Sequence, residues 1–333
     1  KTHYKISPDG MYISFLAPYK SRMNIYVQKI GTADAKCITS VTDRDIPNYF
    51  WKNNDLIVYT RDNKGDENFH LYGVDKSGSS IKDFTPFGTV RVNVVDELKD
   101  DENHILIEMN KRDKKVFDVY RLNINTGATD MIAQAPENTL KWLADHEGKL
   151  RVAVTSDGSN TNILYRETES QSFKTILTVD WKDSVRPVFF TFDNKQLYMV
   201  SDVDRDKKAF VIFDPVAQKE TQLIYENQDY DIWPFDIGYC IIDTYSRKRK
   251  VVTHIEYISW KLERICFDAQ TEAMFKRLEQ ALQGYEIRVV SSDKNEDKFI
   301  ISASSDRVQG SYYLYDLISD TLTKLADAKP WLK

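Results

Sequence analysis

Several ingredients of common functional classes are scarce in this chain. Its 333 residues hold three cysteines, Cys37, Cys240 and Cys266, far apart and odd in number. That argues against a disulfide framework and against a cysteine-based metal site. The five histidines (His3, His70, His104, His146, His254) are scattered, with no His-Glu-x-x-His pair for zinc. There is no Gly-x-Ser-x-Gly elbow, no phosphate-binding loop and no dinucleotide fingerprint. No apolar run approaches the roughly 18 residues that a membrane span needs. The formal charge of −5 supplies no general attraction to nucleic acid or to an anionic bilayer. The chain opens Lys1-Thr2-His3, without an apolar signal core, so its compartment (cytoplasmic or periplasmic) is not legible at this end. No cofactor is expected.

Glycine (12) and proline (9) are also few for a protein of many turns, so Asn, Asp and Ser must do much of the turning. The stretch Tyr49–Asp75 shows how. A polar turn, Asn53-Asn54-Asp55, leads into an apolar run at 56–60, then a charged connection at 61–68 and a second β-rich run at 69–74. The same plan recurs. Aligned on their second strands, seven units begin at Tyr12, Leu56, Ile105, Leu150, Leu197, Tyr239 and Phe299. The first five steps lie between 42 and 49 residues and the last is 60. A period near 40–50 with several strands per unit is the signature of a β-propeller. The third strands read 25–29, 69–74, 116–122, 163–166, 209–213, 251–257 and 312–317; weaker fourth strands follow at 37–41, 129–133, 173–179, 221–225 and 321–325. The expectation is an all-β, seven-bladed propeller forming a single domain over 1–333, with eight blades the alternative.

The long last step has a cause. In Asp268–Gly284, Met274, Phe275, Leu278, Ala281 and Leu282 fall on one helical face, with Asp268 as N-cap and Gly284 as stop. This predicts one amphipathic helix inserted between the sixth and seventh blades. It would either cover a blade or dock a partner, and covering is preferred.

Antiparallel order puts the second-to-third-strand loops and the blade-to-blade connections at one end of each sheet. The first-to-second-strand turns share the other end. The former loops are longer and carry most of the loop charge, including 61–68, 201–208 and 244–250. Binding is expected there, and the segment 326–333 should leave at that end. The candidate binding group is Arg61, Asp66, Glu67 and Asn68: two adjacent carboxylates beside an arginine can hold a cationic ligand end or pair across an interface. Asp202, Asp204 and Asp206 look like the start of a calcium loop but lack its Gly and closing Glu, so no metal is expected. The basic run 247–250 reads as a solvated turn. His70 and His254 lie in third strands and are expected to be packed.

Three stretches, ISPDGMYISFL (6–16), GDENFHLY (65–72) and GSYYLYDLISDTLTK (310–324), together with the helix EAMFKRLEQAL, resemble the N-terminal propeller of prolyl oligopeptidase family serine peptidases. The nearest branch is the acylaminoacyl-peptidase and dipeptidyl-aminopeptidase-like one. The resemblance implies a propeller that caps the active site of a downstream α/β-hydrolase domain, gates the entry of short peptides, and lends polar groups such as Glu67 to substrate or to the domain interface. No catalytic residue carries over, because the hydrolase motif is absent from these residues. The alternatives are a free-standing interaction propeller of the TolB or WD40 kind and, more weakly, a metal-dependent propeller enzyme such as a lactonase.

Overall fold

The computed structural model describes residues 1–232, 244–308 and 310–329. Six four-stranded antiparallel sheets account for most of it, each built from four consecutive strands. The first sheet is β1 (Thr2–Ile6), β2 (Tyr12–Tyr19), β3 (Arg22–Lys29) and β4 (Ala35–Cys37). The second is β5 (Tyr49–Trp51), β6 (Leu56–Arg61), β7 (His70–Asp75) and β8 (Ile81–Asp83). The third is β9 (Val92–Asp96), β10 (His104–Asp113), β11 (Val116–Asn123) and β12 (Thr129–Ala133). The fourth is β13 (Thr139–Ala144), β14 (Leu150–Ser156), β15 (Asn160–Tyr165) and β16 (Lys174–Asp180). The fifth is β17 (Val185–Phe190), β18 (Leu197–Ser201), β19 (Ala209–Asp214) and β20 (Lys219–Tyr225). Two hairpins follow, β21 (Tyr245–Ser246) with β22 (Val251–Val252) and β23 (His254–Ile258) with β24 (Leu262–Cys266). After the helix α1 (Ala269–Ala281) comes the last sheet: β25 (Glu286–Ser292), β26 (Lys298–Ser304), β27 (Ser311–Asp316) and β28 (Thr321–Asp327). This is the repeating sheet of a β-propeller.

The described residues fall into two compact groups. One holds 1–86, 244–255 and 265 onward. Within it the first sheet packs on the second through Leu16, Ile25, Val27, Tyr49 and Ile57. On its other face it packs on the last sheet through Tyr4, Ile6, Phe15, Ile300 and Leu314. Beginning and end of the chain are therefore neighbours through apolar packing, with no strand exchanged. The second group, which includes 87–232 and 256–264, packs the third sheet on the fourth and the fourth on the fifth. A sheet covered on both faces needs consecutive buried residues, and Ile57, Val58 and Tyr59 on β6 are all buried. Packing is tight enough at Gly73 that a Cβ would lie 2.5 Å from Phe84 Cε2.

Helix α1 follows the expected pattern closely. Asp268 caps it, accepting the Thr271 N–H at 2.9 Å. Met274, Phe275, Leu278 and Leu282 are buried against Ile287, Ile301 and Tyr315 of the last sheet, while Ala281 is exposed. The Leu282 N–H closes the last turn on Leu278 O, and Gly284 takes the left-handed conformation (φ +80°) that ends the element. The helix spends its apolar face covering a sheet.

The sixth unit departs from expectation. The run 239–243 lies outside the described residues. The strand expected at 251–257 is interrupted at Thr253, whose N–H donates to Thr244 O and whose carbonyl accepts from Phe267 N–H, both at 2.8 Å. The loop at 247–250 does not join second to third strand. Lys248 Nζ reaches Asn295 O (2.8 Å) and Arg249 pairs with Glu296 (3.4 Å), in the first-to-second-strand turn of the last sheet. That turn in turn bonds the equivalent turn of the first sheet, Lys294 N–H to Pro8 O at 2.9 Å. Strand 251–258 therefore runs away from the turn end, 262–266 returns beside it, and α1 follows where every other sheet has a fourth strand. Of the basic run 247–250, Lys248 and Arg249 pair within the chain and Arg247 donates to the Tyr245 hydroxyl, while Lys250 is exposed.

Candidate functional site

The ends of the sheets that carry the second-to-third-strand loops are braced by the connections between sheets, as antiparallel order requires. Asp45 Oδ1 accepts the Met23 N–H (2.7 Å), Asn110 Oδ1 the Arg91 N–H (2.7 Å) and Asp231 Oδ1 the Lys208 N–H (2.9 Å). Ala328 N–H donates to Gly310 O at 2.9 Å, so the chain leaves its last strand beside the loop 304–310. That is the end expected from strand order. Much of the charge in these loops is thereby structural. Arg112 pairs with the buried Asp118 at 2.7 Å, and Arg205 with Glu220 at 2.7 Å. Asp202 Oδ1 accepts the Ser184 N–H at 2.5 Å. Among the described residues, no group of three His, Cys, Asp or Glu side chains is placed to hold a metal.

The candidate group at Arg61–Asn68 is not one cluster. Arg61 turns away from the loop to Asp43, in the connection between the first and second sheets, at 2.7 Å. The pair holds the Asp43 carboxyl below its ordinary value. Arg61 and Asp43 line a recess of about 160 Å³ with Ser40, Val41, Thr42, Tyr59, Tyr72 and Ile81. The two tyrosines face each other across β6 and β7 with ring centroids 5.5 Å apart. Burial pushes the Tyr59 hydroxyl up to about 12. Arg61 Nε is buried without a hydrogen-bond partner among the described residues.

Asp66 serves its own loop. Its Oδ1 accepts from the Asn63 and Asn68 N–H groups, both at 3.1 Å, and Oδ2 from Asn68 Nδ2 at 3.4 Å. Desolvation pushes this carboxyl up, but the donors of Asn68 and Asn63 outweigh it and leave it below its ordinary value. Glu67 differs. Its N–H leans on the buried Asp62 (3.4 Å) and its backbone is left-handed at φ +58°, a conformation that costs a non-glycine residue of order 1 kcal/mol. Its side chain is exposed and its carboxylate accepts no hydrogen bond from a described residue. Of the four residues, Glu67 alone presents an uncommitted charge. Arg61 belongs to a different feature, because its strand direction carries it over the preceding connection.

Sequence reasoning did not single out the recess partners Asp43, Tyr59 and Tyr72, which are brought together from three segments. It also passed over two exposed tryptophans. Trp181 (77% exposed) lies in the connection after β16, and Trp260 (82%) tips the β23–β24 hairpin, at the far end of its strand from 247–250. Each is followed by a lysine whose Nζ lies over the indole, at 5.8 Å for Lys182 and 5.0 Å for Lys261. The shared Trp-Lys dipeptide was no signal, because Trp51-Lys52 repeats it with both residues buried. His70 and His254 are packed: His70 Nδ1 lies 2.6 Å from Thr85 O, and the His254 ring meets Phe275 edge-on at 5.2 Å.

No protein-family model matches the chain. Dipeptidyl aminopeptidase BIII of Pseudoxanthomonas mexicana is 27% identical over 339 aligned positions, covering all of this chain and 48% of that protein. Dipeptidyl peptidase family member 6 of Caenorhabditis elegans is 22% identical over 247 positions, covering 67% of this chain and 32% of its own length. Among solved structures, a puromycin-hydrolyzing peptidase of Mycobacterium tuberculosis superposes over 98% of this chain and 53% of its own (TM-score 0.62, 11% identity). A prolyl endopeptidase superposes over 97% and 49% (TM-score 0.61, 11% identity). The chain is thus similar in sequence to a dipeptidyl aminopeptidase and a dipeptidyl peptidase family member, shares the propeller fold of the two solved peptidases, and spans about half the length of those it matches or less.

Proposed function

We propose that this chain is the propeller domain of a serine oligopeptidase of the dipeptidyl-aminopeptidase branch. In this reading the described groups are parts of one seven-bladed domain, and the catalytic α/β-hydrolase domain belongs to the same polypeptide. The propeller caps that domain's active site and admits short peptides. The observation that carries the reading is the alignment with the bacterial dipeptidyl aminopeptidase, which consumes all of this chain and only half of the relative. Other features support it. Residue 328 leaves beside the loop 304–310, and Trp181 and Trp260 offer apolar area of the kind an interface buries. Glu67, the exposed carboxylate, is the group assigned to a cationic peptide terminus or to the domain interface, with Asn68 and Asp66 shaping its loop and Arg61 bracing the neighbouring recess.

Two measurements test this. The coding sequence beyond Lys333 should encode a segment with a Gly-x-Ser-x-Gly elbow; a stop codon there would favour a free-standing interaction propeller. The purified chain should not turn over dipeptidyl p-nitroanilides, whereas inhibitor-sensitive hydrolysis by it would refute the assignment.

A further inference from the structure

The recess beside Arg61 has a firmly anchored wall. The connection between the first and second sheets packs on β6 and β7, and Asn24, fully buried on β3, fixes it. Asn24 Oδ1 accepts from Thr39 Oγ1 and from Val41 N–H, both at 2.9 Å, and Asn24 Nδ2 donates to Val41 O at 3.0 Å. Ile38, Val41 and Ile46 sink into the same apolar cluster as Tyr59. Further along, Asp45 is tied to the Met23 N–H. The recess is therefore preformed, as small-molecule sites usually are. In its lining Val41 and Tyr59 are buried, Tyr72 is half-buried and Ile81 is exposed. Its volume of about 160 Å³ is close to that of a cavity of about 150 Å³ that accepts benzene.

Charge narrows the ligand further. Among the lining residues the ions are Arg61 and Asp43, paired at 2.7 Å with side chains 28% and 29% exposed. The Arg61 hydrogen bond holds the Asp43 carboxyl below its ordinary value, so both are ionised at neutral pH. A charged ligand would have to draw one member away from the other and leave a half-buried charge uncompensated. A neutral dipole can bond both at once. The guanidinium carries five donors; Nη2 serves Asp43, and Nε is buried with no hydrogen-bond partner among the described residues. A carboxylate offers about four acceptor sites, and the donors to Asp43 are Arg61 and the backbone N–H groups of Asp43 itself and Arg44. Each ion keeps hydrogen-bonding capacity, a donor on one side and an acceptor on the other. A carboxamide has the matching pair, an oxygen for Arg61 and an N–H for Asp43.

We propose that this recess is a binding site for small uncharged aromatic carboxamides, the ring resting on Tyr59, Tyr72 and Ile81 and the amide bridging Arg61 and Asp43. The site goes beyond the peptide-handling reading above and does not rest on it.

The test is fluorine NMR of this chain titrated with 4-fluorobenzamide, 4-fluorobenzoate or 4-fluorobenzylamine, probes that share a ring and differ in charge. The amide should bind with a dissociation constant of about 1 mM, reasonable for a ligand of about ten heavy atoms. Each charged probe should bind about tenfold more weakly, because it leaves one ion of the pair without its partner. Two variants should then exchange the preference. Asp43→Asn uncovers the Arg61 charge and should favour the benzoate over the amide. Arg61→Gln uncovers the Asp43 charge and should favour the benzylamine, which is protonated at neutral pH. Each is a gain of binding, which an unfolded chain cannot imitate. Ile81→Ala, a change at an exposed position that leaves the fold intact, should weaken the amide about threefold by removing apolar contact. No binding of the amide up to about 10 mM, equal binding of the three probes by the parent chain, an unchanged order of preference in either folded charge variant, or an unchanged amide affinity in Ile81→Ala would overturn the proposal.

Discussion

Asp268 is the point where one side chain organises three segments, and its removal has a calculable cost. Its Oδ2 accepts from Thr271 N–H (2.9 Å), Thr271 Oγ1 (2.7 Å) and Arg249 Nη2 (2.8 Å). Arg249 in turn contacts Glu296 at 3.4 Å, so the cap ties α1 to the loop 247–250 and to the turn before β26. Replacing an N-cap by alanine costs about 1 kcal/mol. A hydrogen bond to a charged partner adds about 1.5–3 kcal/mol. With Asp268 and Arg249 side chains 17% and 25% exposed, and Glu296 still available to Arg249, the lower end applies. Asp268→Ala should therefore lose about 2–3 kcal/mol. Asp268→Asn keeps a side-chain acceptor for the helix but loses the charge, and should lose about 1 kcal/mol. Urea unfolding gives the two midpoints, and amide exchange should show 269–282 opening first in the alanine variant. Equal losses in the two variants, or a loss under 0.5 kcal/mol in Asp268→Ala, would refute the view that the charge bridges three segments.

Two further outcomes follow from burial. Ile57 is fully buried and Leu56 only half-buried, so Ile57→Ala should cost about 2–5 kcal/mol and Leu56→Ala clearly less, measured by denaturant midpoint. Glu108 is raised by burial, against the opposing Asn93 hydrogen bond, so the folded chain holds its proton where the unfolded chain has released it. Stability from this site is present below the ordinary glutamate value and is lost as pH rises through the raised one. Glu108→Gln, which still accepts from Asn93, should melt higher than the parent at pH 7.5 and equal to it at pH 4; an unchanged difference across that range would remove Glu108 as the cause.

How much of this was legible in advance depended on how local the signal was. The second strand at 197–201 and the fourth at 129–133 match their expected bounds, because short β-rich runs between polar turns need no tertiary information. The helix was equally plain, since cap, apolar face and stop all lie within seventeen residues of sequence. The fourth strand β8, with the sequence Ile-Lys-Asp and two exposed residues, carries no apolar pattern and was missed. Outer edge strands are held by backbone pairing and do not need one. At the candidate site, the position of Glu67 followed from loop placement, but Arg61 did not pair with its sequence neighbours. Its partner Asp43 comes from the connection before β5, a contact that strand order permits and no local pattern announces.

The sixth unit shows why a repeat can be read correctly and still be misnumbered. The polar loop at 244–250, flanked by apolar residues, has the composition of the second-to-third-strand loops elsewhere. Composition records that a chain reverses, however, and not at which end of the sheet it does so. The deciding information is electrostatic and distant in sequence: Lys248 and Arg249 find Asn295 and Glu296, nearly fifty residues on, in a turn whose end of the sheet is fixed by Lys294 bonding Pro8. Once that loop is placed, the strand at 251–258 becomes the second of its unit and 262–266 the third. The helix then stands in sequence where a fourth strand is due. Its buried face, Met274, Phe275, Leu278 and Leu282, covers Ile287, Ile301 and Tyr315, apolar surface that the last sheet would otherwise expose. An amphipathic helix can do this without donating to a strand edge, because its own backbone is satisfied internally. Counted from the second strand so placed, the last step is 48 residues, from Val251 to Phe299, and the extra length falls in the step before it, 54 residues from Leu197 to Val251.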